Sequence, residues 1–159
     1  MDTRKHTIAA IGVYGAMMAV LILLKSQFQI GQLWAESNQV NRSVELRPFD
    51  QLFYASDWFI PAFGYGGNFL LFVPFGLLLG SRMKVGLATA TAAITSLGFE
   101  VLQYVFALGY SDIDDLFMNT LGGFVGAVIA RLCGPRYQRH WQWLAIALAA
   151  IFGVLVLVF

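Results

Sequence analysis

Five stretches of about 20 residues, nearly free of charge, constrain this chain more than any other feature. They are residues 7–24 ("TIAAIGVYGAMMAVLILL"), about 58–80, about 85–107, about 116–133 and 141–159. A helix that crosses a bilayer needs about 20 mostly apolar residues, and each stretch comes close to that length. Composition agrees, with 58% hydrophobic and 12% charged residues and a mean hydropathy of +0.69. Soluble domains carry about 25% charge, so only a membrane solvates this much apolar surface on so short a chain. The reading is a single all-α domain over residues 1–159, an integral membrane bundle of five helices. A net charge of +1 without a basic run excludes nucleic acid as a partner. The single Cys133 excludes an intrachain disulfide and a cysteine pair for zinc.

The first stretch has basic residues ahead of it, as a signal peptide does. Its apolar run continues to Leu24, however, and the following "KSQFQIGQLW" offers no small-x-small cleavage site, so it reads as an uncleaved anchor. Lys and Arg orient the chain. With the N-terminus in the cytoplasm, the inner segments hold Arg4, Lys5, Arg82, Lys84, Arg131, Arg136 and Arg139, against Lys25, Arg42 and Arg47 outside. The positive-inside rule favours that arrangement, with the C-terminus outside. Trp58, Trp141 and Trp143 fall at span ends, where indoles belong. The outer loop 25–57 contains "RSVELRPFDQLF", a mixture that predicts a short amphipathic element at the interface, limited by Pro48.

Polar residues inside such spans ask for an explanation. The stretch "FEVLQYVFALGYSDIDDLFMNTLGG" carries Glu100, Gln103, Asp112, Asp114, Asp115 and Asn119, and the preceding span carries Asn68. Counting about 1.5 Å per residue along each helix puts all of them in the outer leaflet, with "SDIDD" in an outer loop. In the third span Gly86, Thr89, Ala93, Ser96, Glu100 and Gln103 recur at steps of three and four, which predicts one seam facing other helices. Gly122 and Gly126, like Gly76 and Gly80, form small-x-x-x-small pairs that permit close helix approach, within the chain or between copies in a homo-oligomer.

Two readings of these groups stand side by side. An ionisable residue in a membrane span is a functional candidate, and Glu100 is placed as a general acid or base. Its rival role is a hydrogen-bonding clamp between helices. Asp112, Asp114 and Asp115 are hard oxygen ligands suited to a divalent cation, Mg²⁺ or Ca²⁺. Their rival role is helix capping, by Ser111 with Asp114 or Asp112 with Asp115. Asn68, Gln103 and Asn119 are candidate binding groups or helix bridges.

"RSVELRPF", "NFLLFVPFGLLLG", "FEVLQY" and "SDIDDLFMNTLGG", in this order, resemble the VanZ-like membrane proteins from about Arg42 to Gly126. The family pattern implies site positions at Arg42, Asn68, Glu100, Gln103, Asp112, Asp115 and Asn119. Two positions depart from it: Glu45 stands where asparagine is usual, and Tyr110 where an arginine is frequent. That leaves Arg42, Arg47 or a cation to meet the acidic charge. The resemblance implies a multi-pass protein of the bacterial cell membrane that lowers susceptibility to teicoplanin-type glycopeptides. Its partners would be the bilayer and a lipid-linked cell-wall precursor, a lipid headgroup or the glycopeptide itself. Two alternatives remain open at this point. One is an enzyme acting on a lipid phosphate or glycolipid through Glu100 and a carboxylate-bound cation. The other is a cation-coupled transporter or a scaffold.

Overall fold

The computed structural model describes residues 3–23, 42–50, 53 and 59–158. Five helices in it are long and apolar enough to cross a membrane. They are α1 (Thr3–Leu23), α2 (Phe59–Gly80), α3 (Val85–Val105), α4 (Ile113–Cys133) and α5 (Gln138–Val158). Most of the loop 25–57 lies outside the described residues, as do Trp58 and the side chain of Arg42.

The bundle is organised around α2 and α4, which make the most extensive contact in the chain. Glycine explains how close they come. A Cβ on Gly126 would collide with the Val73 carbonyl, one on Gly122 with the Phe69 carbonyl, and one on Gly76 with the Gly123 carbonyl. A Cβ on Gly80 would stand 2.5 Å from the Ala127 Cα. Both glycine pairs are therefore filled by the neighbouring helix of the same chain. The expectation that these faces join copies is corrected: they are already occupied inside one molecule.

α3 packs along α4, and α1 and α5 pair with each other on the far side. The buried seam of α3 is Ala88, Ala92, Ser96, Phe99, Glu100 and Gln103. The upper half matches the sequence reading, but the lower half is one residue out, with Gly86 exposed and Ala88 and Ala92 inside. Steps averaging about 3.4 drift against a helix of 3.6 residues per turn, which displaces the seam over several turns.

At one end the turns between α2 and α3 and between α4 and α5 meet the start of α1. Thr7 Oγ1 accepts from Arg82 Nε (3.2 Å), Gln138 Nε2 (2.9 Å) and Gln142 Nε2 (2.7 Å). The described residues at this end include Lys5, Arg82, Lys84, Arg131, Arg136 and Arg139 and no Asp or Glu. Every described acid lies toward the opposite end.

That acidic end holds an element the all-helical reading lacked. β1 (Arg42–Glu45) pairs in parallel with β2 (Gly109–Asp112), Arg42 opposite Gly109 and Glu45 opposite Asp112. Of the segment expected as an amphipathic interfacial element, Arg42–Glu45 is thus a strand. The turn from α3 into β2 makes it possible. Leu108 N–H donates to Gln103 O (2.9 Å) and Ala107 N–H to Tyr104 O (3.3 Å), with Ala107 left-handed at φ 53°. This is the Schellman arrangement, here with alanine at the position glycine usually takes.

Candidate functional site

The site begins where β2 becomes α4. Pairing with β1 keeps Gly109–Asp112 extended, and Asp112 then caps the helix by accepting the Asp114 N–H at 2.9 Å. α4 therefore starts at Ile113 rather than Leu116. "SDIDD" is strand, cap and first helical turn, where acids suit the helix dipole. It is not the free outer loop expected from sequence.

Each acid accepts at least one hydrogen bond. Asp114 accepts the Phe49 N–H at both carboxylate oxygens (3.0 and 2.9 Å) and the Tyr65 hydroxyl at 2.8 Å. Asp115 accepts from Asn68 Nδ2 on α2. Among the described residues, no group of three or more His, Cys, Asp or Glu side chains is arranged to hold a metal ion. Capping and interhelical hydrogen bonding engage all three carboxylates.

Glu100, on α3, reaches the same junction. Its Oε2 accepts the Asp112 N–H at 2.9 Å, and its backbone carbonyl accepts the Ser111 hydroxyl at 2.8 Å. One turn farther along, Gln103 Nε2 donates to the Ile22 carbonyl at the end of α1 (2.8 Å). Deeper in the bundle, Asn119 Nδ2 donates to Ser96 Oγ (2.9 Å). Asn68, Glu100, Gln103, Asp112, Asp114, Asp115 and Asn119 are all buried. Burying polar and charged groups is tolerable only where hydrogen bonds replace water, and this network supplies them. Two buried oxygens, Gln103 Oε1 and Asn119 Oδ1, have no hydrogen-bond partner among the described residues.

The structure thus joins Asn68 to Asp115 and Glu100 to Asp112, and it puts Asn119 against Ser96. Arg42 occupies the strand position opposite Gly109, and Arg47 is exposed, its N–H bonded to Glu45 Oε1 at 3.1 Å.

Sequence reasoning missed Phe49 and Tyr65. Phe49 has φ 59° and lays its ring edge-on against both Tyr65 and Phe117, with centroids 5.9 Å apart in each case. A signal for Tyr65 existed: it sits three residues before Asn68, on the same helical face. Phe49 offered none, because its contact with α4 spans 65 positions.

Beside the network, a cleft of about 290 Å³ opens between the strands, α3 and α4. Val44, Leu46, Leu97, Val101 and Leu116 wall it, and Glu100 and Asp112 line its inner side. It is an aliphatic groove with a buried acidic network behind it.

The VanZ/LLP1 family matches residues 11–134. Over 153 residues the chain is 31% identical to the protein VanZ of Enterococcus faecium, covering 94% of this chain and 89% of the relative. No solved structure matches the chain. With the match spanning four of the five helices and the strand pair between them, the chain belongs to the VanZ/LLP1 family of multi-pass bacterial membrane proteins.

Proposed function

We propose that this protein lowers the susceptibility of the cell envelope to teicoplanin-type glycopeptides, acting through the buried polar network on a lipid-linked precursor or a lipid headgroup. In this reading the N-terminus is cytoplasmic and the C-terminus outside, so the network faces the outer leaflet, where such drugs meet their targets. Support for the orientation comes from the separation of charge between the two ends of the bundle, with the basic end inward.

One observation carries the assignment. Glu100, Asp114, Asp115, Asn68 and Asn119 lie buried in helices of membrane-spanning length. An apolar core of the same shape would be less costly to build, so so many polar groups point to a working role. Glu100 is proposed as the acid or base, and Arg42, Asn68, Gln103 and Asn119 as the groups that hold the ligand. The neighbouring aliphatic cleft suits the hydrocarbon part of a lipid.

The test is expression in a teicoplanin-sensitive Gram-positive host, with membrane levels matched by blot. The wild-type chain should raise the teicoplanin inhibitory concentration over empty vector, and Asp115→Asn and Arg42→Gln should lose that increase. Protection by both variants equal to wild type would remove the network from the mechanism.

A further inference from the structure

A second groove, at the opposite end of the bundle, lies between α1 and α5 and measures about 670 Å³. α1 lines it with His6, Ala9, Ala10 and Val13, one face of a helix at positions i, i+3, i+4 and i+7. α5 lines it with Arg139, Gln142, Trp143 and Ile146 at the same spacing. The groove therefore runs along both helices, with His6 and Arg139 at its mouth and aliphatic side chains deeper in. Its floor is Ala10 and the Gln142 amide, both buried, the latter fixed by its bond to Thr7 Oγ1 (2.7 Å). Small side chains at Ala9 and Ala10 leave the space open.

We propose that this groove binds an anionic glycerophospholipid, its phosphate held by Arg139 and His6 and one acyl chain laid between Val13 and Ile146. Three observations select that occupant. The volume falls within the roughly 300–1,000 Å³ of ligand pockets. The gradient from cationic mouth to aliphatic interior follows the long axis of a lipid, and Trp143, exposed at the rim, sits where an interfacial indole belongs. The surrounding end carries basic residues and, among the described residues, no acid, so the local charge favours a phosphate. Basic pockets between membrane helices recognise anionic headgroups on this physical basis. The proposal is independent of the acidic network at the other end.

The experiment is native mass spectrometry of the full chain in detergent, with phosphatidylglycerol or phosphatidylcholine added. Wild type should retain phosphatidylglycerol about fivefold better than phosphatidylcholine, the scale of one basic contact near a headgroup. Arg139→Gln should abolish that preference, and Ala9→Phe, which fills the groove, should lower retention of both lipids. Arg136→Gln, a change to an exposed arginine outside the groove, should behave as wild type. Equal retention of the two lipids by wild type would overturn the proposal. So would an unaltered preference in Arg139→Gln, or an equal loss in Arg136→Gln, which would mean diffuse charge rather than a site. A dimer that forms as lipid is stripped and disappears in Ala9→Phe would give the groove to a second copy instead. If Ala9→Phe does not fold, the two arginine variants still decide the matter.

Discussion

The Phe49 N–H donates to both carboxylate oxygens of Asp114, at 3.0 and 2.9 Å, across 65 residues of chain. Asp114 also accepts the Tyr65 hydroxyl, so one buried carboxylate ties the loop strand, α2 and α4 together. Phe49 sits in the left-handed region, uncommon for a bulky residue, and the bond and its ring contacts hold it there.

Asp114→Ala should therefore release the strap Arg42–Asp50. We expect faster hydrogen exchange over residues 42–50 and a stability loss of roughly 2 kcal/mol, the scale for buried donors deprived of their acceptor. Glu45→Gln, which touches only the half-exposed turn at Arg47, should stay within about 0.5 kcal/mol. Exchange over 42–50 unchanged in Asp114→Ala would show that the strand pair alone holds the segment.

Close packing of α2 on α4 yields a paired test. Gly126→Ala places a Cβ against the Val73 carbonyl and should cost roughly 1–3 kcal/mol or more, read as a lower melting temperature in detergent. Gly66→Ala, with nothing within 4 Å of its Cβ, should be neutral or slightly stabilising. Similar melting temperatures for the two variants would refute the packing described.

Ala107 closes α3 in the left-handed conformation at φ 53°. Alanine is strained there and glycine is not, so Ala107→Gly should stabilise the protein by roughly 1 kcal/mol. A lower melting temperature would mean that this turn is not left-handed in the membrane.

At the basic end Thr7 Oγ1 accepts three donors from the α2–α3 turn and from α5. Thr7→Val removes the acceptor at nearly constant volume and should cost roughly 1–3 kcal/mol, whereas Thr7→Ser should recover most of it. Thermal denaturation of the three proteins in the same detergent measures the difference.

Hydropathy made the five helices legible because a span must be both long and apolar. The expected 58–80 and 85–107 lie close to Phe59–Gly80 and Val85–Val105. The polar positions of the site were legible for the same reason, since each interrupts an apolar run. What stayed hidden was who meets whom. Gly122-x-x-x-Gly126 announces a close approach without naming the partner, which proved to be α2 of the same chain. The parallel pairing of Arg42–Glu45 with Gly109–Asp112 joins two four-residue segments, too short to show a period and brought together only by the two helices between them. Beside that pairing Asp112 caps α4, and the three acids accept from Asp114 N–H, Phe49 N–H, Tyr65 and Asn68, contacts that the sequence did not single out.

Glu100→Gln decides whether the acidic network works or merely holds the bundle together. The glutamine keeps an acceptor for the Asp112 N–H while removing the charge and the acid–base capacity. Teicoplanin inhibitory concentrations should be measured for wild type, Glu100→Gln and Thr7→Ser, with each protein's membrane level and melting temperature recorded. Glu100→Gln should melt within a few degrees of wild type yet protect no better than empty vector, while Thr7→Ser should protect fully. Full protection by a stable Glu100→Gln protein would refute a working role and leave the carboxylate a structural clamp.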